Sequence, residues 1–272
     1  MRRVMDYLPT GQFFGHNNQT LQLGGLTLTD TEYSYEFVDW HYHENPHLTL
    51  ITRGDIRQGT RRETYECPAD TLLFHNRQEP HYNLKPAGTT RGFQLEIHPQ
   101  WSDAFNLNLD ALPNCAKVLH PGVKLPFYNI YKEAKRFDDL SGLAIDALLL
   151  DLFSTLRGVV ATANKATPGW VKKIDELLHD QFDQPLSLQA IAAELDLHWA
   201  HLSRDFPRYF HCTFGEYVRK IRIEKSLALL RHPQLSLTEI ALLCGFADQS
   251  HFNRCFKEFS GITPKVFRRL SA

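Results

Sequence analysis

Residues 1 to about 100 carry short alternations of apolar and polar positions. Examples are Thr27-Leu28-Thr29 and His47-Leu48-Thr49-Leu50-Ile51-Thr52, broken by turn signals such as Arg53-Gly54-Asp55. Period-two patterning with frequent breakers predicts many short strands in a sandwich or small barrel. From about 124 to 160 the period lengthens. Leu143, Ala147, Leu148, Leu152, Phe153 and Leu156 recur at helical spacing and predict an antiparallel helix pair. The stretch 161–169 is small and polar and ends in Pro168-Gly169, so it reads as a linker. Residues 170–270 are patterned as helix almost throughout. The expected class is α+β, with a strand-rich domain over 1–120, a helical segment over 121–160, a linker over 161–169 and an all-helical domain over 170–272.

The helical third contains a repeat. Leu186-Ser-Leu-Gln-Ala-Ile-Ala matches Leu235-Ser-Leu-Thr-Glu-Ile-Ala at an offset of 49. After a one-residue insertion the offset becomes 50, pairing Leu202 with Phe252, Arg204 with Arg254, Phe206 with Phe256 and Thr213 with Thr263. Units this short are two copies of one supersecondary motif rather than two domains.

In the second copy, Ser236 and Glu239 have capping-box spacing and start a helix whose buried stripe is Ile240, Leu243 and Cys244. Gly245 stands where a residue of positive φ ends it. Asp248 caps the next helix, from Gln249 to Phe259, and Gly261 stops that one. Thr263 and Pro264 open a last helix. On the middle helix Phe252, Phe256 and Phe259 turn inward, while Gln249, Ser250, Asn253, Arg254 and Lys257 turn outward. Arg pairs with guanine, Asn or Gln with adenine, and Lys with phosphate.

Composition adds bounds. Hydrophobic residues make up 43% and charged residues 22%, as in a globular protein. Residues 168–272 hold 14 Lys/Arg and 12 Asp/Glu, a balance of +2, which does not by itself signal nucleic acid. Five cysteines at scattered positions point to reduced thiols in a cytoplasm. No signal peptide, membrane-length apolar run, nucleotide-binding loop or hydrolase constellation is legible.

The run Gly245-Phe-Ala-Asp-Gln-Ser-His-Phe-Asn-Arg-Cys-Phe-Lys-Glu-Phe-Ser-Gly-Ile-Thr-Pro264 resembles the signature of AraC-type transcription regulators. Tyr217-Val-Arg-Lys-Ile-Arg-Ile-Glu-Lys-Ser-Leu-Ala-Leu-Leu230 fits the linking helix of the same family. The resemblance implies two helix-turn-helix units whose recognition helices enter successive major-groove segments of promoter DNA. By motif position it places Ala200, His201, Ser203 and Arg204 on the first reading face. Gln249, Ser250, His251, Asn253, Arg254 and Lys257 fall on the second. It also implies contact with RNA polymerase and a non-enzymatic, usually activating, role. The first copy departs from the pattern at Asp196, His198, Pro207 and His211. Pro207, inside a helix, predicts a short or kinked first recognition helix.

The strand-rich part gathers histidines: His41, His43, His47, His75 and His81. With Gly54 and Pro68 they resemble the two motifs of a cupin, which in AraC-type regulators is a sensing barrel for a small-molecule effector. In a strand His41 and His43 share one face. His47 joins them if no bulge forms at Pro46, and His81 through the cupin resemblance. The set His41, His43, His47 and His81 suits a divalent transition metal, whereas Glu44 alternates outward. Trp40, Tyr42, Phe74 and His75 are candidates for an effector pocket. The helices over 121–160 are expected to form a homodimer. Two rivals stay open: a metal-dependent cupin enzyme, and an interaction module that binds no DNA.

Overall fold

The computed structural model describes residues 5–61, 63–112, 115–118, 121–163, 168–210, 212–260 and 262–271. Gly261, His211 and the middle of the 161–169 linker lie outside them. Strands come first and helices after, giving the α+β class expected. The chain divides into two compact units. One holds Met1–Leu119 with Ala134–Leu143, the other His120–Glu133 with Ala144–Ala272. Most of 121–160 therefore goes with the C-terminal helices.

The first unit is built from β1 (Asp6–Leu8), β2 (His16–Leu23), β3 (Leu26–Tyr33), β4 (Phe37–His43), β5 (His47–Arg53), β6 (Asp55–Thr60), β7 (Thr64–Pro68), β8 (Leu72–His75), β9 (His81–Leu84), β10 (Thr90–Ile97) and β11 (Cys115–Val118). They form a five-stranded sheet, β1-β4-β9-β6-β7, and a six-stranded one, β11-β8-β5-β10-β3-β2. The longest pairing runs antiparallel from Thr90 opposite Tyr33 to Ile97 opposite Leu26. Leu28, Leu48, Leu50, Phe93 and Leu95 are buried, and their removal from water is the main stabilising contribution. The turn from β5 to β6 needs Gly54. Its φ is +70°, and a Cβ there would lie 2.5 Å from the Thr89 carbonyl oxygen. A short helix, α1 (Pro99–Ala104), follows β10.

The second unit comprises most of α2 (Pro121–Arg136) and α3 (Ser141–Ala163), then α4 (Gly169–Asp180), α5 (Leu188–Glu194), α6 (Trp199–Phe210), α7 (Phe214–Leu229), α8 (Leu237–Leu243), α9 (Gln249–Ser260) and α10 (Pro264–Ser271). The apolar stripe expected on α3 divides. Leu152, Phe153 and Leu156 are buried together with Ile145 and Leu149, whereas Leu143 is 73% exposed and Ala147 exposed.

Helix α7 carries one motif copy on each side. Ile174, Leu178, Ile191, Leu202, Phe206 and Phe210 pack with Tyr217 and Ile221 in the first core. Ile223, Leu227, Ile240, Cys244, Phe252 and Phe256 are among the buried side chains of the second copy and the half of α7 nearest it. Arg222 ties the copies together. Its Nε donates to the Phe182 carbonyl at 2.8 Å, its Nη2 to that of Gln184 at 2.8 Å, and its guanidinium lies 6.0 Å from the Phe246 ring centre. Helix α2 braces the far end. Lys124 and Glu224 form an ion pair at 2.5 Å with side chains only 10% exposed, and a charge so buried must keep its partner. The Lys132 ammonium donates to the Ser260 carbonyl at 2.8 Å, placing a cation at the C-terminus of α9, where the helix dipole favours one.

Candidate DNA-reading face and histidine cavity

The second copy is shaped by local signals. Ser236 Oγ accepts from Glu239 N at 3.1 Å while the Glu239 carboxylate accepts from Ser236 N at 2.7 Å, completing the capping box of α8. These bonds hold the Glu239 carboxyl below its ordinary pKa. Gly245 takes φ +76° and Asp248 Oδ1 accepts from His251 N at 2.7 Å, so the turn and the start of α9 are as expected. Leu243 departs from the expectation at 52% exposed; Ile240, Ala241 and Cys244 make the buried stripe. The segment from the cap to Cys244 makes only about two turns, so the stripe is narrow and excludes position 243.

On α9 the side chains of Ser250, Arg254 and Lys257 are exposed and those of Gln249, His251 and Asn253 half-buried. Thr238 Oγ1 donates to Gln249 Oε1 at 2.7 Å, fixing that amide, and the His251 ring lies against Phe246 at 5.4 Å. Asn253 Oδ1 is buried and has no hydrogen-bond partner among the described residues.

The first copy reaches the same shape by other means. Ser187 Oγ accepts from Ala190 N at 3.1 Å, but position 190 offers no carboxylate to complete a box. Asp196 adopts φ +55°, the conformation that Gly245 has in the second copy. His198 Nδ1 accepts from Ala200 N at 3.3 Å, in place of Asp248. Helix α6 is not shortened: it runs through Pro207 to Phe210, twelve residues, the same length as α9. Phe206 and Phe210 stack at 4.1 Å, and this buried underside holds the helix across the lost N–H. Ala200, His201, Ser203 and Arg204 are all exposed, with Arg204 Nε 3.2 Å from Asp205 Oδ1. Sequence reasoning passed over Trp199, 49% exposed at the head of the same face.

In the first unit His41 and His43 on β4, His47 on β5, His75 on β8 and His81 on β9 converge, each no more than 4% exposed. Pairing explains it: His41 is opposite His81 and His47 opposite His75. The rings line a cavity of about 40 Å³ with Phe13, Phe14 and Tyr33. His75, expected in an effector pocket, therefore lines the same cavity as the expected metal set; of that set His41, His43 and His81 bring ligand nitrogens together, and His47 is not in their group. Trp40, Tyr42 and Phe74 are not among the lining residues, because each alternates along its strand with a histidine that points in. Burial pushes all five imidazoles below their ordinary pKa, His47 to about 3, so they are neutral at pH 7. Glu44 is turned away and accepts from Thr10 N at 3.1 Å and from its hydroxyl at 3.0 Å. Glu96, opposite His47, is pushed up to about 7 by burial, with one oxygen taken by the Gly11 N–H. Among the described residues no helix is long and apolar enough to cross a membrane.

A duplicated helix-turn-helix unit in one chain with a strand-built domain that holds a cavity lined by histidines and aromatics defines a class: a regulator with a DNA-reading part and a sensing part. Residues 191–270 match the description "Helix-turn-helix domain" and residues 23–153 "AraC-like ligand binding domain". The HTH-type transcriptional activator RhaR of Cronobacter sakazakii is 33% identical over 243 residues, covering 84% of this chain and 86% of that one. The chain belongs to the AraC-type family of transcription regulators. Other similarities are partial. The Msm operon regulatory protein of Streptococcus mutans is 31% identical over 107 residues, and the matched stretch spans 39% of this chain and 38% of that one. For GbdR of Pseudomonas aeruginosa it spans 27% of the relative. Crystalline ToxT from Vibrio cholerae covers 91% of this chain at 14% identity and a TM-score of 0.39.

Proposed function

We propose that this chain is a one-component regulator that binds promoter DNA through both helix-turn-helix copies and is controlled by a small molecule taken up in the N-terminal cavity. The observation that carries the reading is the pair of twelve-residue helices, each anchored by buried aromatics and each presenting polar side chains outward. Ala200, His201, Ser203 and Arg204 form one face; Gln249, Ser250, His251, Asn253, Arg254 and Lys257 form the other. Arg254 is the base reader of the second helix, and Lys257 neutralises phosphate. The tie through Arg222 fixes the spacing of the two readers, which successive major-groove segments require.

The protein acts by binding rather than catalysis. In the cytoplasm it acts through contact with RNA polymerase, and it activates transcription, as the RhaR relative is named for doing. An effector changes the population competent to bind the promoter in proportion to its preference for that state. The working form is a homodimer. Leu140 and Leu143, around the start of α3, are 72% and 73% exposed, and joining two pairs of weak DNA modules multiplies their avidity.

A gel shift on the DNA upstream of its own gene, with a salt titration, tests the reading. Specific binding that weakens steeply with salt is expected. A folded chain with equal affinity for that DNA and an unrelated fragment would overturn it. Sedimentation at micromolar concentration tests the dimer, and a strictly monomeric species ends that part.

A further inference from the structure

The histidine cluster holds more ring nitrogens than the protein satisfies. His41 Nδ1 lies 2.8 Å from the Asp39 carbonyl and His81 Nδ1 3.0 Å from that of Glu79. A carbonyl only accepts, so each Nδ1 carries the proton and each Nε2 presents a lone pair. His47 Nδ1 makes a longer contact of the same kind with Asn45, at 3.4 Å. His43 Nδ1 and both nitrogens of His75 are buried without a partner among the described residues. The protein interior rarely tolerates such groups, and three of them side by side call for a ligand. His41, His43 and His81 each bring one nitrogen within 4.8 Å of the others, so that small turns of the rings bring all three to the roughly 2.0–2.1 Å that zinc takes with imidazole. A backbone carbonyl on the far nitrogen of two of them is the support that metal-binding histidines characteristically have.

We propose that His41, His43 and His81 bind a divalent transition ion of the zinc type, with an open coordination position facing the cavity. This deepens the sensing role proposed above and rests on it. Three neutral imidazoles leave the ion its full double charge. Glu44 is held by Thr10 and one Glu96 oxygen by Gly11, and neither carboxylate is among the residues that line the cavity. The open position therefore suits water or the oxygen of an anionic ligand. His75, 4.6 Å from the His81 ring and 4.5 Å from that of His47, supplies the hydrogen bond that such an oxygen accepts. A cavity of about 40 Å³ has room for the ion together with a small oxyanion or carboxylate.

The test uses the full chain, purified without an affinity tag, stripped with chelator and titrated with zinc and with cobalt(II) as a spectroscopic probe. Uptake near one ion per chain is expected, with the visible absorption of low-coordinate cobalt and an X-ray absorption signal of three imidazoles. His41→Gln and His81→Gln should each weaken binding by more than about a hundredfold. Less than a tenth of an equivalent in the folded wild type overturns the proposal, as does one equivalent bound unchanged by both folded variants. If the variants do not fold, the imidazole count in the wild type decides: three supports the site and one or none overturns it. The gel shift is read separately. Metal uptake without promoter binding refutes the regulator reading alone, and promoter binding without uptake refutes the metal site alone.

Discussion

The two helix-turn-helix copies reach one backbone shape from unequal local instructions. In the second, every junction is written in the sequence: a capping box at Ser236 and Glu239, a glycine at φ +76°, and an aspartate cap at residue 248. In the first, a serine caps alone, an aspartate is held at φ +55°, a histidine substitutes for the capping aspartate, and a proline interrupts the recognition helix. The difference teaches where the first copy finds its stability. Phe206, Phe210 and Tyr217, packed with Ile174, Leu178 and Ile191, set a geometry that local signals leave loosely defined. Tertiary packing routinely overrides propensity in this way.

The sharpest way to break the comparison is at its left-handed residues. Gly245→Ala forces a Cβ to 2.8 Å from the carbonyl oxygens of Phe182 and Asp183, in a conformation that disfavours any side chain. A loss of about 2–4 kcal/mol in urea unfolding is expected. Asp196→Gly, at the matching position, should instead stabilise by about 0.5–1 kcal/mol, because glycine adopts positive φ freely. Equal effects of the two substitutions would mean that the copies are not equivalent at this turn.

Reading should be unequal as well. Arg254 is exposed and no hydrogen bond or ion pair ties its guanidinium among the described residues, whereas Arg204 sits 3.2 Å from Asp205. Arg254→Ala should weaken specific promoter binding by about 1–3 kcal/mol, with the fold intact. Arg204→Ala should cost under about 1 kcal/mol, since its guanidinium must first leave a neighbouring carboxylate. Equal losses in quantitative gel shifts would show that both helices read with the same strength. Next in size come the caps. Ser236→Ala removes half of a reciprocal box and should cost about 1–2 kcal/mol of stability, against about 0.5–1 kcal/mol for Ser187→Ala.

What was legible in the sequence follows the same division. Features fixed by neighbours in the chain could be read: the α8–α9 caps, Gly245, the shared face of His41 and His43, and the outward turn of Glu44. Features fixed by pairing could not. His75 joins the cluster because β8 lies beside β5 in register, although it lies 28 positions along the chain from its partner His47. The outward placement of Trp40 and Tyr42 is implicit in their alternation with His41 and His43. Of the short or kinked α6 that Pro207 predicts, the shortening is absent: the cost of the proline is local, whereas the packing that carries the helix on to Phe210 comes from α4 and α7. Lys124 and Glu224, one of the pairs that tie α2 to the C-terminal helices, are a hundred residues apart, and no periodicity reports such a pair.

The smallest effect compares single positions. At the repeat offset of 50, Lys257 on α9 corresponds to Pro207 on α6, and both are exposed. On the proposed reading a lysine there neutralises a phosphate and releases about one counterion on binding, and a proline releases none. Lys257→Ala should lower the slope of log affinity against log salt by about 1, with little change in sequence preference. Pro207→Lys should raise that slope by about 1 and return an N–H to the Ser203 carbonyl, which also stiffens α6. The double variant, Pro207→Lys with Lys257→Ala, should restore the wild-type slope while moving the contact from one helix to the other. A slope unchanged in both single variants would place residues 207 and 257 away from the phosphate backbone and shift the reading faces toward the first turns of α6 and α9.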